Sequence, residues 1–357
     1  MSLGFIIVHV TLLAGVAAIA WGIAWLAMRS RVLLDRPGPR SSHQQPTPRG
    51  GGLGIVVACL AGWGAFWSTG FSSLPFAGGP RGLLIGAAIV AAGGLLDDWR
   101  HQRPPVKLAI QALAAAVAIA DGLVLERLAL PWFGVVTLPW WIGAPLTFLW
   151  FVGLTNAFNF MDGLDGLAAS TATIAALAVA LAGVAGGAGP LAALGWVLMA
   201  ACAGFLLLNR APARVFMGDV GSQFLGFAFA GIGVYFARLD PLGAAAYFVP
   251  LLLFHFLFDT IVTAWSRWRA DENVTAAHRR HFYQRLHQAG LDHGAISVWL
   301  SIAAVFNAVV ALWVMIAARG APWLGLVLAL GLQLYYVWLV RRRERQAAAW
   351  EAAQAAR

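Results

Sequence analysis

Five aspartates occur in three short motifs beside apolar stretches of the chain. Asp97 and Asp98 are adjacent, Asp162 and Asp165 are three residues apart, and Asp219 precedes a further apolar stretch. A polar loop explains any single aspartate, but a carboxylate close to hydrocarbon costs up to ~3 kcal/mol. Convergent carboxylates with oxygen-rich neighbours are the ligands that Mg²⁺ prefers. The three motifs together therefore predict a magnesium site.

Basic residues that suit phosphate groups accompany these motifs. Arg49 precedes three glycines whose N–H groups can face an anion, although a turn is the commoner use of such a triplet. Lys107 is the only lysine, and a membrane-surface position would also explain it. The last large polar loop adds Arg267, Arg269, His278, Arg279, Arg280, His281 and Arg285. Carboxylates for Mg²⁺ beside cations for phosphate predict phosphoryl transfer, which depends mainly on positioning and charge neutralisation.

The elements that must position these residues are membrane helices. Of 357 residues, 61% are apolar and only 11% are charged, whereas soluble proteins carry about 25% charged residues. The apolar residues form blocks of roughly 20, which match the ~30 Å hydrocarbon thickness of a bilayer. We predict an all-α, polytopic membrane bundle with eleven spans at 5–28, 50–68, 82–96, 106–120, 138–154, 167–185, 190–208, 220–237, 243–264, 294–317 and 322–340.

The distribution of basic residues predicts the orientation of this bundle. Nineteen of the 24 Lys and Arg residues lie in the odd-numbered gaps or after the last span, and Lys107 lies at the start of the fourth span, beside the third gap. The positive-inside rule then places the N-terminus outside, and the C-terminus and the active site on the cytoplasmic face of the inner membrane. This bias, with anionic lipid headgroups, explains the net charge of +9 without a nucleic-acid partner. We assign 1–345 to one integral-membrane domain and 346–357 to a short cytoplasmic tail.

Some expectations concern single elements. The first span is expected to be an uncleaved signal anchor, because its positive charges follow the apolar stretch. Cys59 and Cys202 lie inside spans, which predicts small buried hydrophobes rather than a disulfide. The segment 121–139 predicts a short external hairpin. Asp259, near the cytoplasmic end of the ninth span, is expected to orient Arg267 or another phosphate-binding arginine in a supporting role.

Several linked motifs resemble those of one enzyme superfamily. Residues 94–98 read GLLDD, 156–168 read NAFNFMDGLDGLA, and 216–222 read FMGDVGS. Further matches are the loop 40–52, Lys107 with Gln111, and Asp259-Thr260 followed by Arg267. Over about residues 30–290 the chain resembles the polyprenyl-phosphate N-acetylhexosaminyl-1-phosphate transferases. This superfamily includes initiators of O-antigen, enterobacterial common antigen and teichoic-acid linkage, and the phospho-MurNAc-pentapeptide translocase.

The resemblance implies transfer of a sugar 1-phosphate from a UDP-N-acetylhexosamine to undecaprenyl phosphate, with release of UMP. Mg²⁺, or Mn²⁺ in its place, would bridge the donor pyrophosphate. The metal ligands implied by the resemblance are Asp219 and Asp98. The implied catalytic residues are Asp97, Asp98, Asp162 and Asp165. The implied substrate-binding residues are Arg40, Arg49, Lys107, Asn156, Asn159, Arg280, His281 and Arg285.

The chemistry of the acceptor limits what the paired aspartates have to do. A phosphate monoester has its second pKa near ~6, so at pH 7 it is mostly a dianion with little proton to remove. We therefore expect Asp97 and Asp98 to act through electrostatics and orientation rather than as general bases. The uracil ring is expected to stack on Phe158, Phe160 or Phe216, and the sequence does not choose among them.

The last polar loop departs from the family pattern. Many members that use UDP-GlcNAc carry His-x-His-His there, whereas this chain reads HFYQRL from His281. The loop resembles the O-antigen-initiating branch, whose donors include 6-deoxy sugars. UDP-GlcNAc, for teichoic-acid or common-antigen initiation, is the alternative. The missing histidine triplet argues against a muramyl-pentapeptide donor.

Two other protein classes share some of these features. A secondary transporter has many spans, but its ion sites usually lie at the midplane and commonly within inverted repeats, and no repeat is evident here. An intramembrane Mg-dependent prenyltransferase spaces its aspartates differently, in Asp-x-x-x-Asp style. Membrane lipids are expected partners of any such protein, and assembly into a homo-oligomer stays open.

Overall fold

The structure is a computed structural model that describes residues 3–30, 32–36, 45–68, 80–273, 276 and 278–355. The described helices are α1 (Leu3–Ser30), α2 (Leu53–Ser68), α3 (Pro80–Arg100), α4 (Pro104–Ala120), α5 (Trp140–Phe160), α6 (Leu167–Ala185), α7 (Gly189–Asn209), α8 (Asp219–Leu239), α9 (Phe248–Leu252), α10 (Phe254–Trp268), α11 (Phe282–Gln288), α12 (His293–Ala317) and α13 (Trp323–Ala355). Two antiparallel strand pairs join β1 (Leu34–Asp35) to β2 (Thr47–Pro48) and β3 (Arg127–Leu130) to β4 (Gly134–Thr137). The predicted all-α class is confirmed.

The helices agree with a polytopic membrane protein. Within the described ranges, eight helices are long and apolar enough to cross a bilayer. A ninth span results if α9, with the 3₁₀ turn before it, and α10 are counted together, although they are bent by 75°. Two shorter apolar helices, α2 and α4, coincide with the second and fourth predicted spans. The total of eleven and the orientation of the termini stay predictions.

Helix α8 lies at the centre of the bundle and carries Asp219 at its N-terminus. Within an apolar stretch of 18 residues of this helix, 94% of the residues are buried. Small residues bring the neighbouring backbones close, as they commonly do in membrane bundles. A Cβ on Gly94 of α3 would lie 2.5 Å from the Asp219 carbonyl oxygen, and one on Gly226 of α8 would lie 2.7 Å from Thr155 Cα of α5. The packing of α3, α5 and α8 therefore fixes the position of Asp219.

The glycine triplet docks the first polar loop onto the segment that precedes α8. The Gly51 and Gly52 amides donate to the carbonyl oxygens of Phe216 and Met217 at 3.0 and 2.9 Å. The Phe216 amide donates in return to the Pro48 carbonyl oxygen at 2.8 Å. These two glycine N–H groups are therefore used inside the protein and do not face an anion.

Gly52→Ala is expected to destabilise this contact. An added Cβ would lie 2.5 Å from Gly221 Cα and 2.7 Å from the Met217 carbonyl oxygen, and both are backbone atoms that cannot move aside alone. Overpacking of this kind costs about 1–3 kcal/mol, so the midpoint of thermal unfolding in detergent should fall by several degrees. Gly64→Ala in α2 is the matched control, because nothing lies within 4 Å of its Cβ position. Equal melting of the two variants would contradict the close approach.

The structure also describes the predicted hairpin, the two cysteines and the predicted C-terminal tail. The hairpin predicted in 121–139 is the β3–β4 pair, in which Arg127 lies opposite Thr137. Cys59 and Cys202 are buried and free, as predicted. The predicted boundary between domain and tail at 345–346 lies inside α13, so the tail continues the last helix.

Candidate active site

The C-terminal end of α3 meets the N-terminus of α8 through Asp98. Its Oδ1 accepts from the Asp219 amide at 2.9 Å, and its Oδ2 accepts from the Val220 amide at 3.1 Å. Arg49 Nη2 lies 2.9 Å from Asp98 Oδ1. Gly218 has φ of +75°, and a Cβ there would lie 2.5 Å from Asp98 Oδ2. The buried Asp98 side chain thus anchors a helix N-terminus, where the helix dipole favours negative charge.

Lys107 connects the first and third acidic motifs. Its Nζ lies 2.7 Å from Asp97 Oδ2 and 3.0 Å from Asp219 Oδ2. Asp97 also accepts from the Gln102 amide at 2.6 Å through its other oxygen. A single cation therefore holds together two carboxylates that are 122 positions apart in the chain.

Amide side chains complete the contacts of Asp219. Asn159 Nδ2 donates to Asp219 Oδ1 at 3.2 Å and to Ser222 Oγ at 2.8 Å. Gln223 Nε2 donates to Asp219 Oδ2 at 3.0 Å, and Gln111 Nε2 donates to Gln223 Oε1 at 3.1 Å. Neither Ser222 nor Gln223 was predicted as a site residue. Their spacing of three and four residues from Asp219 places them beside it on a helix, and this was the available signal.

A second amide contact lies behind this network. Asn156 Nδ2 donates to Gln111 Oε1 at 2.6 Å. Asn156 does not belong to the lining of the cavity described next, whereas Asn159 does. The two predicted substrate-binding asparagines therefore occupy different layers of the site.

All three acidic motifs reach one cavity of about 330 Å³. Its lining residues are Asp35, Arg49, Asp98, Asn159, Asp162, Gly163, Leu164, Asp165, Asn209, Phe216, Met217, Gly218, Asp219, Gln284 and His293. The predicted gathering of carboxylates is thus confirmed. Arg49 is a cation of the lining, and its Nε is buried without a hydrogen-bond partner. A donor group left free in this way fits an anionic ligand.

The pKa of Asp162 reflects its burial and the other carboxylates of the cavity. Burial, and then the nearby carboxylates of Asp219 and Asp98, raise the pKa of Asp162 to about 8. Desolvation and like charges both oppose ionisation of a carboxyl group. The site therefore suits a positively charged ligand between these side chains.

Asp165 has partners of its own at another side of the cavity. Its Oδ2 accepts from the Ala213 amide at 3.0 Å, and its Oδ1 lies 3.2 Å from His293 Nδ1. Ser297 Oγ donates to the Asp165 carbonyl oxygen at 2.7 Å. His293 is the first residue of α12 and was not predicted as a site residue, because in the sequence it looks like an ordinary residue at a helix start.

The last polar loop is held by ion pairs within the protein. Arg280 pairs with Glu272, and Arg285 pairs with Glu344 of α13 through two contacts of 2.7 Å. Neither arginine lines the cavity, and neither do Lys107 and His281. Their predicted substrate contacts stay predictions. Arg40 lies outside the described residues.

The expectation that Asp259 orients Arg267 was wrong. Arg267 Nη2 donates to the Asn273 carbonyl oxygen at 2.6 Å, and its Nε pairs with Glu272 at 3.2 Å. Asp259 instead contacts His281, whose Nδ1 lies 2.8 Å from Asp259 Oδ1. The loop folds back onto α10 and brings the histidine to the aspartate, which sequence distance alone did not reveal.

Reversal of the charges of Arg285 and Glu344 tests whether Arg285 supports activity through this ion pair or by binding a substrate directly. Arg285→Glu is expected to lower activity roughly 10-fold, equivalent to about 1.4 kcal/mol, because it repels Glu344 and loosens α11. The double variant Arg285→Glu/Glu344→Arg should recover most of the activity, since the ion pair is restored in reverse. Activity that stays low in the double variant, with normal melting, would instead indicate direct substrate binding by Arg285.

The structure separates the three candidate stacking residues. Phe158 is fully buried in the core, and Phe160 is 48% exposed but outside the cavity lining. Phe216 is half-buried and lines the cavity. Of the three candidates, Phe216 is the residue that lines the cavity.

The donor set fits Mg²⁺, although the protein does not form a complete metal cage. Among the described residues, no three His, Cys, Asp or Glu side chains converge tightly enough to hold a metal by themselves. Mg²⁺ is usually bound through one or two carboxylates together with water and substrate phosphates. Asp219 and Asp162 line the cavity with such oxygens. Both oxygens of Asp219 accept from side chains, whereas both oxygens of Asp98 accept from backbone amides.

Fold and site together define a class: a polytopic helical membrane protein with a carboxylate-rich cavity that Arg49 also lines. Residues 81–237 match glycosyl transferase family 4. The chain is 30% identical to the probable undecaprenyl-phosphate N-acetylglucosaminyl 1-phosphate transferase of Bacillus subtilis, over 73% of this chain and 71% of the relative. It is 33% identical to the decaprenyl-phosphate N-acetylglucosaminephosphotransferase of Mycobacterium tuberculosis, over 80% and 74% of the two chains.

A third relative carries a different name. The chain is 37% identical to the phospho-N-acetylmuramoyl-pentapeptide-transferase of Synechococcus sp. (strain RCC307), over 65% of this chain and 67% of the relative. The chain belongs to the polyprenyl-phosphate N-acetylhexosaminyl-1-phosphate transferase superfamily. It is therefore a membrane-embedded sugar-phosphate transferase, which replaces the transporter and prenyltransferase alternatives.

Proposed function

We propose that the protein transfers an N-acetylhexosamine 1-phosphate from a UDP-sugar to undecaprenyl phosphate on the cytoplasmic face of the inner membrane. An oxygen of the lipid phosphate attacks the phosphorus that bears the sugar. The bond from that phosphorus to the bridging oxygen breaks, and UMP leaves. The observation that carries the proposal is the single cavity, where Asp98, Asp162 and Asp219 meet beside Arg49.

The chain's own residues bind and orient the reacting phosphates. Arg49 has a buried Nε that lacks a hydrogen-bond partner among the described residues and that a phosphate oxygen would satisfy, and Lys107 lies between Asp97 and Asp219. Asp219 and Asp162 would hold Mg²⁺, which supplies charge neutralisation on the donor pyrophosphate. Asn159 and Gln223 keep the Asp219 carboxylate in a fixed orientation. Phe216 is the proposed stacking partner of uracil.

Asp97 and Asp98 are proposed to position groups rather than to remove a proton. Asp98 holds the N-terminus of α8, and Asp97 holds Lys107. Asp97→Asn should therefore lower kcat about 10- to 100-fold by the same factor from pH 6 to pH 9, because the lost interaction does not depend on hydroxide. The wild-type pH profile is the reference. Full recovery of the variant at pH 9 would show that Asp97 is a general base.

The donor sugar and the downstream glycan are proposed from the last loop. The sequence HFYQRL favours O-antigen initiation, with UDP-GlcNAc for teichoic-acid or common-antigen initiation as the alternative. Two of the relatives above carry N-acetylglucosamine in their names. Their names support UDP-GlcNAc as the donor as strongly as the loop supports O-antigen initiation. The muramyl-pentapeptide donor is disfavoured by the missing histidine triplet.

One assay tests the reaction and the donor together. Purified protein in detergent or vesicles is supplied with undecaprenyl phosphate, Mg²⁺ and one UDP-sugar at a time from a panel of N-acetylhexosamines and their 6-deoxy forms. We expect release of UMP and a lipid pyrophosphate sugar, identified by its mass, with one preferred donor. Release of UDP, or no product from any UDP-sugar while the protein is folded, would contradict the proposal. Omission of Mg²⁺ and its replacement by Mn²⁺ test the metal.

A further inference from the structure

Asp259 and His281 form a buried pair beside the cavity. Asp259 is 1% exposed and His281 is 5% exposed, and His281 Nδ1 lies 2.8 Å from Asp259 Oδ1. Thr263 Oγ1 donates to the same carboxylate oxygen at 3.0 Å. The two partners are 22 residues apart and belong to different elements, because Asp259 lies in α10 and His281 directly precedes α11.

This pair adjoins the loop that carries Asp162. The His281 and Phe160 rings are 6.2 Å apart, and Phe160 is the last residue of α5 before that loop. Tyr283 Oη donates to the Phe160 carbonyl oxygen at 2.9 Å, and Gln284, three residues after His281, lines the cavity. The contacts of His281 and of the two residues that follow it closely therefore place the histidine at the rim of the site.

The chemistry of the contact determines where the imidazole proton lies. An ionised carboxylate can only accept hydrogen bonds, so the short contact requires a proton on His281 Nδ1. The other ring nitrogen, Nε2, takes no part in this contact, and it can act as an acceptor or, in the doubly protonated ring, as a donor. A carboxylate that orients a functional imidazole in this way recurs in hydrolases and metal sites.

We propose that Asp259 is a positioning residue, which fixes the proton on His281 Nδ1 and thereby presents Nε2 to a phosphate oxygen of a substrate. The inference rests on the proposed function, which assigns His281 to phosphate binding. His278 does not provide an alternative cation for this phosphate. Burial, and then the charges of His281, Arg267 and Arg280, lower the pKa of His278 to about 4.

A double-mutant cycle separates positioning from simple structural support. Asp259→Asn should lower kcat about 10- to 100-fold with little change in KM, because its amide favours the wrong imidazole tautomer. His281→Gln should lower kcat at least as much. The double variant should be no slower than His281→Gln alone, because Asp259 acts only through the histidine. Thr263→Val, which removes the other donor to Asp259, is the matched control and should stay within about threefold of wild type.

The outcomes of the cycle are distinct. Wild-type kcat in Asp259→Asn, or losses that multiply in the double variant, would overturn the inference while the proposed function stands. Failure of wild-type protein to release UMP from any donor would overturn the proposed function instead. ¹⁵N NMR of histidine-labelled full-length protein then still tests the pair, with the signal assigned by its loss in His281→Gln. We expect a protonated Nδ1 in wild type, and an unprotonated Nδ1 would refute the inference without any assay of activity.

Discussion

Asp219→Asn is expected to lower kcat by about 10³-fold or more, equivalent to roughly 4 kcal/mol of transition-state stabilisation. Asp219 is where the contacts of the site converge, since Lys107, Asn159 and Gln223 all donate to its carboxylate. The asparagine variant keeps the shape but loses the charge that Lys107 and a divalent cation require. The measurement is single-turnover and steady-state release of UMP by folded protein.

Asp240→Asn is the matched control for this variant. Asp240 is a buried aspartate directly after the other end of α8, where it accepts from the Leu242 and Ala245 amides. It should lose stability, since the substitution weakens two buried hydrogen bonds, but should retain kcat within about threefold. If Asp219→Asn and Asp240→Asn lose activity equally, then the loss comes from damage to α8 rather than from chemistry at Asp219.

Asp98→Ala is expected to damage both stability and activity. Its removal leaves the charge of Arg49 without a carboxylate partner and two amides at the start of α8 without acceptors. Breaking a buried ion pair from one side costs about 3–5 kcal/mol, and loss of the α8 anchor should lower kcat at least 100-fold by moving Asp219. Thermal melting in detergent and UMP release measure the two effects separately.

A compensated variant distinguishes charge balance from positioning. Asp98→Leu with Arg49→Met removes both charges, so most of the lost stability should return, as it does when apolar residues replace buried ion pairs. Activity should stay low, because the N-terminus of α8 still lacks its acceptor. Recovery of activity in this variant would show that Asp98 serves only to neutralise Arg49. Unchanged melting and activity in Asp98→Asn would show that its charge is dispensable.

The local patterns predicted the fold class well. Ten of the eleven predicted spans each coincide with one described apolar helix, because about 20 consecutive apolar residues are a local property that a bilayer selects directly. The ninth covers the bent pair α9 and α10. The bend between α9 and α10 was missed, because the segment 243–264 was interpreted as one continuous span. Pro250, three residues before the break at Leu253, was the available local signal, since a proline inside a helix removes a backbone hydrogen bond.

The side-chain pairings were predicted less completely. Resemblance and charge identified Arg280 and Arg285 as substrate ligands, but the structure gives them Glu272 and Glu344 as partners. Glu344 is 59 positions beyond Arg285, and no local pattern connects the two. His293 reaches Asp165 across 128 positions. A basic residue in a cytoplasmic loop satisfies the positive-inside rule whatever its partner is, so its type does not reveal its contacts.

The sequence alone indicated the main features of this protein: membrane helices, carboxylates that we propose for a divalent cation, and basic residues that we propose for phosphate. These features depend on residue type and short spacing, which hydropathy and charge reveal directly. The tertiary structure alone decided that Asp98 anchors α8, that Lys107 joins Asp97 to Asp219, and that Asp259 faces His281 rather than Arg267. Such contacts depend on close helix packing across tens of residues, and hydrogen-bond geometry is fixed only once the backbones have met.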